Sequence, residues 1–74
     1  MNTKYDWSNI IKGVNWIATD YSGKAQGYVN KPVVGFDTWI TNHTKYWLNL
    51  PGYYQEHWSK TLEKRPNTEI KNEI

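Results

Sequence analysis

Val14-Asn15-Trp16-Ile17-Ala18-Thr19-Asp20-Tyr21-Ser22-Gly23-Lys24-Ala25-Gln26-Gly27-Tyr28 is the stretch on which the fold turns. From Val14 the β-forming residues alternate, with Val14, Trp16 and Ala18 on one side and Asn15, Ile17 and Thr19 on the other, the pattern of a strand. Asp20-Tyr21-Ser22-Gly23 then reads as a type I turn. A first-position Asp accepts hydrogen bonds from the backbone that follows it, and a fourth-position Gly takes positive φ without strain. Residues 24–30 return as a second strand. Lys31-Pro32 stops it, because proline donates nothing to a ladder and holds the residue before it extended.

Further along, Val33-Val34-Gly35 reads as a connection, and residues 36–41 and 45–50 as a second hairpin turning at Asn42-His43. Two registers are compatible with it. A two-residue turn, with Asn42 in the left-handed conformation, sets Trp39 against Tyr46 and Ile40 against Lys45. An odd-length loop gathers Phe36, Ile40, Tyr46, Leu48 and Leu50 on one face and leaves Trp39, Trp47 and Lys45 on the other, at the cost of a less comfortable backbone at Thr44 or Lys45. In either register each face carries a Trp. Pro51-Gly52 is a turn signal, and Tyr54, Trp58 and Leu62 follow at the four-residue spacing of a short helix laid over one sheet face. Lys64-Arg65 complement that helix's carbonyl end and Pro66 stops it. Before the first strand, residues 5–13 read as a turn of helix or an irregular segment, with Ser8 as cap and Gly13 as stop. The expected fold is α+β and β-dominated: a small antiparallel sheet of about four strands in two hairpins, with one short C-terminal helix. Residues 1–66 form a single domain and 67–74 a polar tail, frayed or weakly helical.

The chain has 74 residues and no cysteine, so neither a disulfide nor a thiolate zinc site can stabilise a domain that buries only about 60% of its unfolded surface. A cysteine-free chain also fits a reducing compartment. Five Trp, six Tyr and one Phe supply the alternative, since each buried ring removes roughly 150–250 Å² from water. Trp16, Tyr28, Tyr54, Trp58 and Leu62 are the expected core. The net charge of +2 comes from interspersed signs, too weak by itself to point to nucleic acid or an acidic membrane. The longest apolar runs fall far short of the roughly 20 residues of a bilayer span, and no signal-peptide pattern opens the chain, so no membrane association is expected. Asn42-His43-Thr44 matches the glycosylation sequon; without a signal peptide it is a chance match.

Trp16-Ile17-Ala18-Thr19-Asp20, Gly23, Tyr28-Val29-Asn30-Lys31-Pro32, Trp39 and Trp58-Ser59-Lys60-Thr61-Leu62-Glu63-Lys64-Arg65-Pro66 together resemble a group of small phage and prophage proteins. Those proteins share a tryptophan strand, an Asp/Gly turn, a Tyr-x-x-Lys-Pro strand end, a further Trp strand and a closing Trp-x-x-x-Leu-Glu-Lys-Arg-Pro. The likeness covers most of residues 6–66, and the closing nonapeptide is its most specific part. Ser22-Gly23 stands where the pattern has Asp-Gly, and the tail after Pro66 lies outside it. The resemblance implies a phage-type origin and a setting in the host cell cytoplasm, and no reaction.

No catalytic constellation is legible. The seven carboxylates form no paired motif for acid–base work. His43 and His57 are the sole imidazoles, without the spacing that gathers three or four metal ligands. Gly23-Lys24 lacks the glycine spacing and Ser/Thr of a phosphate loop. Neither an enzyme, nor a metal site, nor a cofactor is expected, and the aromatics are left to carry function. One short helix covers one side of a sheet, whereas aromatics lie on both, so a second copy or a foreign partner is expected to cover the other; a dimer is the simplest arrangement. Three modes of action fit. The first is a protein that binds and inhibits a host or anti-phage defence protein, with Trp39, Tyr46 and Trp47 as anchors and Lys31, Lys45 and Arg65 on the rim. The second is an oligomer that sequesters a nucleotide signal by stacking on aromatics, with Lys31 and Arg65 on phosphate. The third is single-stranded nucleic-acid binding, disfavoured by the acidic residues and the lack of a basic tract.

Overall fold

The computed structural model describes residues 3–42 and 44–67. Among these residues six strands run in chain order: β1 (Trp16–Thr19), β2 (Lys24–Tyr28), β3 (Val33–Val34), β4 (Trp39–Ile40), β5 (Lys45–Pro51) and β6 (Glu63–Lys64), with one 3₁₀ turn at Trp58–Lys60 between the last two. β5, β2, β1 and β6 form, in that order, an antiparallel four-stranded sheet, and β3 pairs with β4 in a separate two-stranded one.

The first hairpin follows its turn chemistry. One carboxylate oxygen of Asp20 accepts the Ser22 amide (2.9 Å), the Ser22 hydroxyl (2.6 Å) and the Lys24 amide (3.1 Å). The Gly23 amide donates to the Asp20 carbonyl at 2.9 Å, and Gly23 takes a φ of 91°. Trp16 then faces Tyr28, and Thr19 faces Ala25.

The second expected hairpin does not form. Residues 45–51 do make a strand, but it pairs with β2, setting Trp47 opposite Gln26, Tyr46 opposite Gly27 and Lys45 opposite Tyr28. Trp39 and Ile40 pair instead with Val34 and Val33, the segment read as a connection. The Gly35 amide closes that short hairpin on the Thr38 carbonyl at 2.7 Å. Neither anticipated register applies to such pairings, and His43, half of the anticipated turn, lies outside the described residues, as does the tail from residue 68. The expected C-terminal helix is reduced to the single 3₁₀ turn, and Glu63–Lys64 continue as an edge strand beside β1, with the Arg65 amide donating to the Asn15 carbonyl at 2.7 Å.

Strand alternation gives the main sheet two apolar faces. On one, Ile17 and Ala25 pack with Tyr5 and Val14, under Trp7, Ile10, Tyr46, Leu48, Leu50 and Tyr53. The N-terminal segment and Tyr53 thus pack on this sheet face. Gly27 makes the fit possible, because a β-carbon there would stand 2.7 Å from a Val14 methyl. On the opposite face Ala18, Tyr28 and Trp39 are buried against Trp16, Trp58 and Leu62. Burial of the Tyr28 phenol pushes its pKa up to about 12, and burial also raises that of Tyr5.

A polar seam crosses the sheet at Thr19. Its hydroxyl lies 2.7 Å from that of Tyr5 and accepts the Tyr53 amide at 2.9 Å, and its own amide donates to the Thr61 hydroxyl at 2.8 Å. Its carbonyl accepts the Trp39 indole N–H at 2.9 Å and the Thr61 hydroxyl at 3.1 Å. Buried polar groups are tolerated when they are paired in this way.

Candidate protein-interaction surface

The β3–β4 hairpin is apolar on the outside. Phe36, in the turn between its strands, is 100% exposed, and Val33, Val34 and Ile40 each keep at least half their surface in water. The hairpin is anchored from within by Trp39, which is buried and holds the Thr19 carbonyl through its indole nitrogen. Trp39 was expected as a surface anchor. It is inside because β4, paired with β3, lays the ring against Ala18 and Tyr28, where its N–H finds the Thr19 carbonyl.

Trp47 is 71% exposed on β5 and stands over the same sheet face as Gln26 opposite it. Lys45 is exposed on that face too, two residues earlier. Tyr46 points the other way, half-buried against the Tyr5 and Ile17 cluster. Lys31 is exposed, with its ammonium 5.5 Å from the centre of the half-buried Trp16 ring.

Arg65 does not stand on a rim. Its Nε donates to the Val14 carbonyl at 2.8 Å, and one terminal nitrogen donates to the Ile11 carbonyl at 2.8 Å and, at 3.4 Å, to that of Ile10. The guanidinium also lies 5.0 Å from the centre of the Trp7 ring. Those bonds hold the N-terminal segment under the sheet and withdraw the cation from the phosphate-binding role assigned to it in the nucleotide reading.

Among the residues expected in the core, Tyr28 is fully buried, while Trp16, Trp58 and Leu62 are partly buried around it. Tyr54 is not in the core: it is 72% exposed, with its hydroxyl donating to the Gly23 carbonyl at 2.9 Å. Its four-residue spacing from Trp58 loses meaning without a helix between them.

Sequence reasoning passed over several residues. Phe36 falls in a strand and Val33 and Val34 in a connection in the sequence reading, and nothing local marks the three as an exposed apolar group. Glu63 carries no role in the sequence reading beyond its place in the closing motif, yet its carboxylate accepts the Lys4 amide (2.9 Å), the Tyr5 amide (3.3 Å) and the Trp7 indole N–H (2.9 Å). Nothing local signals that role, because all three donors lie near the other end of the chain.

A groove of about 440 Å³ runs between Asp6, Asn9, Ile10 and Ile11 on one side and residues 46–50 on the other. Asp6 is the one charged group on its walls. Hydrogen bonds from the Ser8 hydroxyl and amide hold the Asp6 carboxyl below its ordinary pKa. Among the described residues, no group of three or more His, Cys, Asp or Glu side chains converges as metal ligands would, and no helix is long and apolar enough to cross a membrane. Comparison with family models, with curated proteins and with solved structures finds no match to this chain.

Proposed function

We propose that this protein is non-catalytic and acts by binding another protein through the apolar β3–β4 hairpin, with Phe36 as the central anchor and Trp47 and Lys31 as flanking contacts. The observation that carries the reading is Phe36. A phenylalanine held wholly in water, on a two-stranded sheet whose Val33, Val34 and Ile40 are also exposed, gives up roughly 1.5–3 kcal/mol that burial would return. Exposed apolar groups of this kind, rimmed by polar ones, mark interaction sites, and aromatic anchors that enter a pocket dominate interface energies. The phage-type sequence resemblance extends the proposal to the partner, a host or anti-phage defence protein that the hairpin inhibits inside the host cell.

The test is affinity capture from host lysate with the tagged wild-type chain beside Phe36→Asp. A single stoichiometric protein retained by the wild type and lost with Phe36→Asp, at unchanged circular dichroism, supports the reading. Equal capture by both would refute the hairpin as the site, and a nucleotide released from an otherwise protein-free eluate would replace the reading with sequestration.

A further inference from the structure

We propose that the free edge of β5 pairs antiparallel with β5 of a second copy of this chain, with the two-fold axis at Tyr46. The inference stands on ladder geometry and does not depend on the hairpin surface. At the mouth of the first hairpin the Asp20 amide donates to the Lys24 carbonyl at 3.0 Å. Bonded pairs recur at every second residue of an antiparallel ladder. With Ala18 opposite Gln26 and Trp16 opposite Tyr28, the even-numbered residues of β2 therefore direct their backbone groups at β1, and Ala25 and Gly27 direct theirs at β5. Gly27 stands opposite Tyr46. Tyr46 thus turns its N–H and C=O inward, and Lys45 and Trp47 turn theirs outward, where, among the described residues, no strand follows β5 in the sheet order.

Such an edge is a template for another strand unless something blunts it. The opposite edge is blunted: β6 has two residues, one of them Lys64, and leads into Pro66. β5 is blunted only in its second half, where it advances from Trp47 to Pro51 while β2 covers Gln26 to Lys24, a bulge that bends the strand. Lys45-Tyr46-Trp47 remains regular and open.

Charge selects a second copy as the occupant and selects its register. Centring the axis on Lys45 would set two ammonium groups face to face, and centring it on Trp47 would run the pairing into the bulge. Centring it on Tyr46 sets Lys45 of each copy beside Trp47 of the other, on one exposed face, twice over. Lys45 and Trp47 then exchange four backbone hydrogen bonds across the axis. A lysine ammonium over a tryptophan ring is a favourable contact, and this chain already makes one between Lys31 and Trp16. On the other face the two Tyr46 rings meet at the axis, beside the groove of about 440 Å³ that Ile10 and Ile11 line. Because the contact is isologous and the far edge is blunted, assembly closes at two copies.

Sedimentation equilibrium over a concentration series tests the assignment. The wild type is expected to reach twice its 8.8 kDa mass. Trp47→Lys, which opposes like charges across the axis, should stay at the single-chain mass, and adding Lys45→Glu in the same chain should restore the dimer by opposing unlike ones. Amide exchange of the wild type provides a measurement that needs no variant: protection at Lys45 and Trp47 should rise with protein concentration. A wild type that is monomeric at every concentration, a Trp47→Lys protein that still dimerises, or Lys45 and Trp47 amides that exchange freely at all concentrations would each overturn the proposal. Protection that appears only when a different protein is added would assign the edge to that protein and overturn it as well.

Discussion

Replacing Arg65 by Lys keeps the charge and removes the fork, which makes it the sharpest separation of a clamp from a surface contact. The Arg65 guanidinium makes two bonds of 2.8 Å to the Val14 and Ile11 carbonyls and covers Trp7. A hydrogen bond from a charged donor contributes about 1.5–3 kcal/mol, and the Ile11 bond is exposed, so the lower half of that range applies to it. Cation–π contact adds roughly 0.5–1 kcal/mol. A lysine can satisfy one carbonyl and lie over the ring less well, so the expected loss is about 2–3 kcal/mol. A domain of this length is stable by roughly 4–11 kcal/mol, from about 0.05–0.15 kcal/mol per residue. At about 4–8 °C per kcal/mol for so small a domain, Tm should fall by roughly 10–20 °C. Thermal unfolding followed by tryptophan fluorescence reads the change directly. A Tm within about 2 °C of the wild type would refute the clamp. So would loss of partner capture at unchanged Tm, which would return Arg65 to the binding surface.

Other consequences follow from the same packing. Gly27→Ala places a methyl 2.7 Å from one Val14 methyl and 3.4 Å from Leu48, so urea denaturation should show a loss of about 1–3 kcal/mol, relieved in part by Val14→Ala; simple additivity of the two would refute the contact. Tyr28 titrates near 12 in the fold against 10.0 for a free phenol. The unfolded chain loses its proton first, so stability holds below pH 10 and falls as pH rises from about 10 to about 12, by up to about 1.4 kcal/mol per unit. Phenolate absorbance and unfolding measured over that range should change together, and a Tyr28→Phe protein should lose stability less steeply there. Phe36→Ala, at a fully exposed site, should shift stability by less than about 0.5 kcal/mol; a larger loss would mean that the ring packs on the fold.

The first hairpin was legible because its turn is specified locally: Asp20, Ser22 and Gly23 carry the whole bonding pattern within five residues. The alternation along β5 was legible too, as one half-buried and one exposed side. Its partner strand was not. Alternation identifies a buried face without naming the neighbour, and the usual preference for pairing consecutive strands pointed to residues 36–41. That preference is met on the other side, by Val33-Val34 just before Trp39-Ile40, and residues 45–51 pair with β2 instead. The helix over Tyr54, Trp58 and Leu62 failed for a different reason. Leu62-Glu63-Lys64-Arg65 has good helix propensity, but bonds from β1 and to the N-terminal segment override a local preference worth a few tenths of a kcal/mol per residue. In the candidate surface Trp47, Lys45 and Lys31, expected as contacts, are exposed, whereas Trp39 is buried and Phe36, not among the expected anchors, is the exposed ring, since which aromatic faces out depends on that missed pairing.

Thr19 has a kinetic meaning beyond its bonds. Its partners Tyr5, Trp39, Tyr53 and Thr61 are separated from it by 14, 20, 34 and 42 positions, so the seam closes only after loops of every length have closed. Loop entropy must be spent before most of these bonds can form. Folding should therefore proceed as one slow, concerted event for so short a chain. The same wiring ties Tyr5, Trp39, Tyr53 and Thr61 to one residue, so loss of any of the segments that carry them opens the centre.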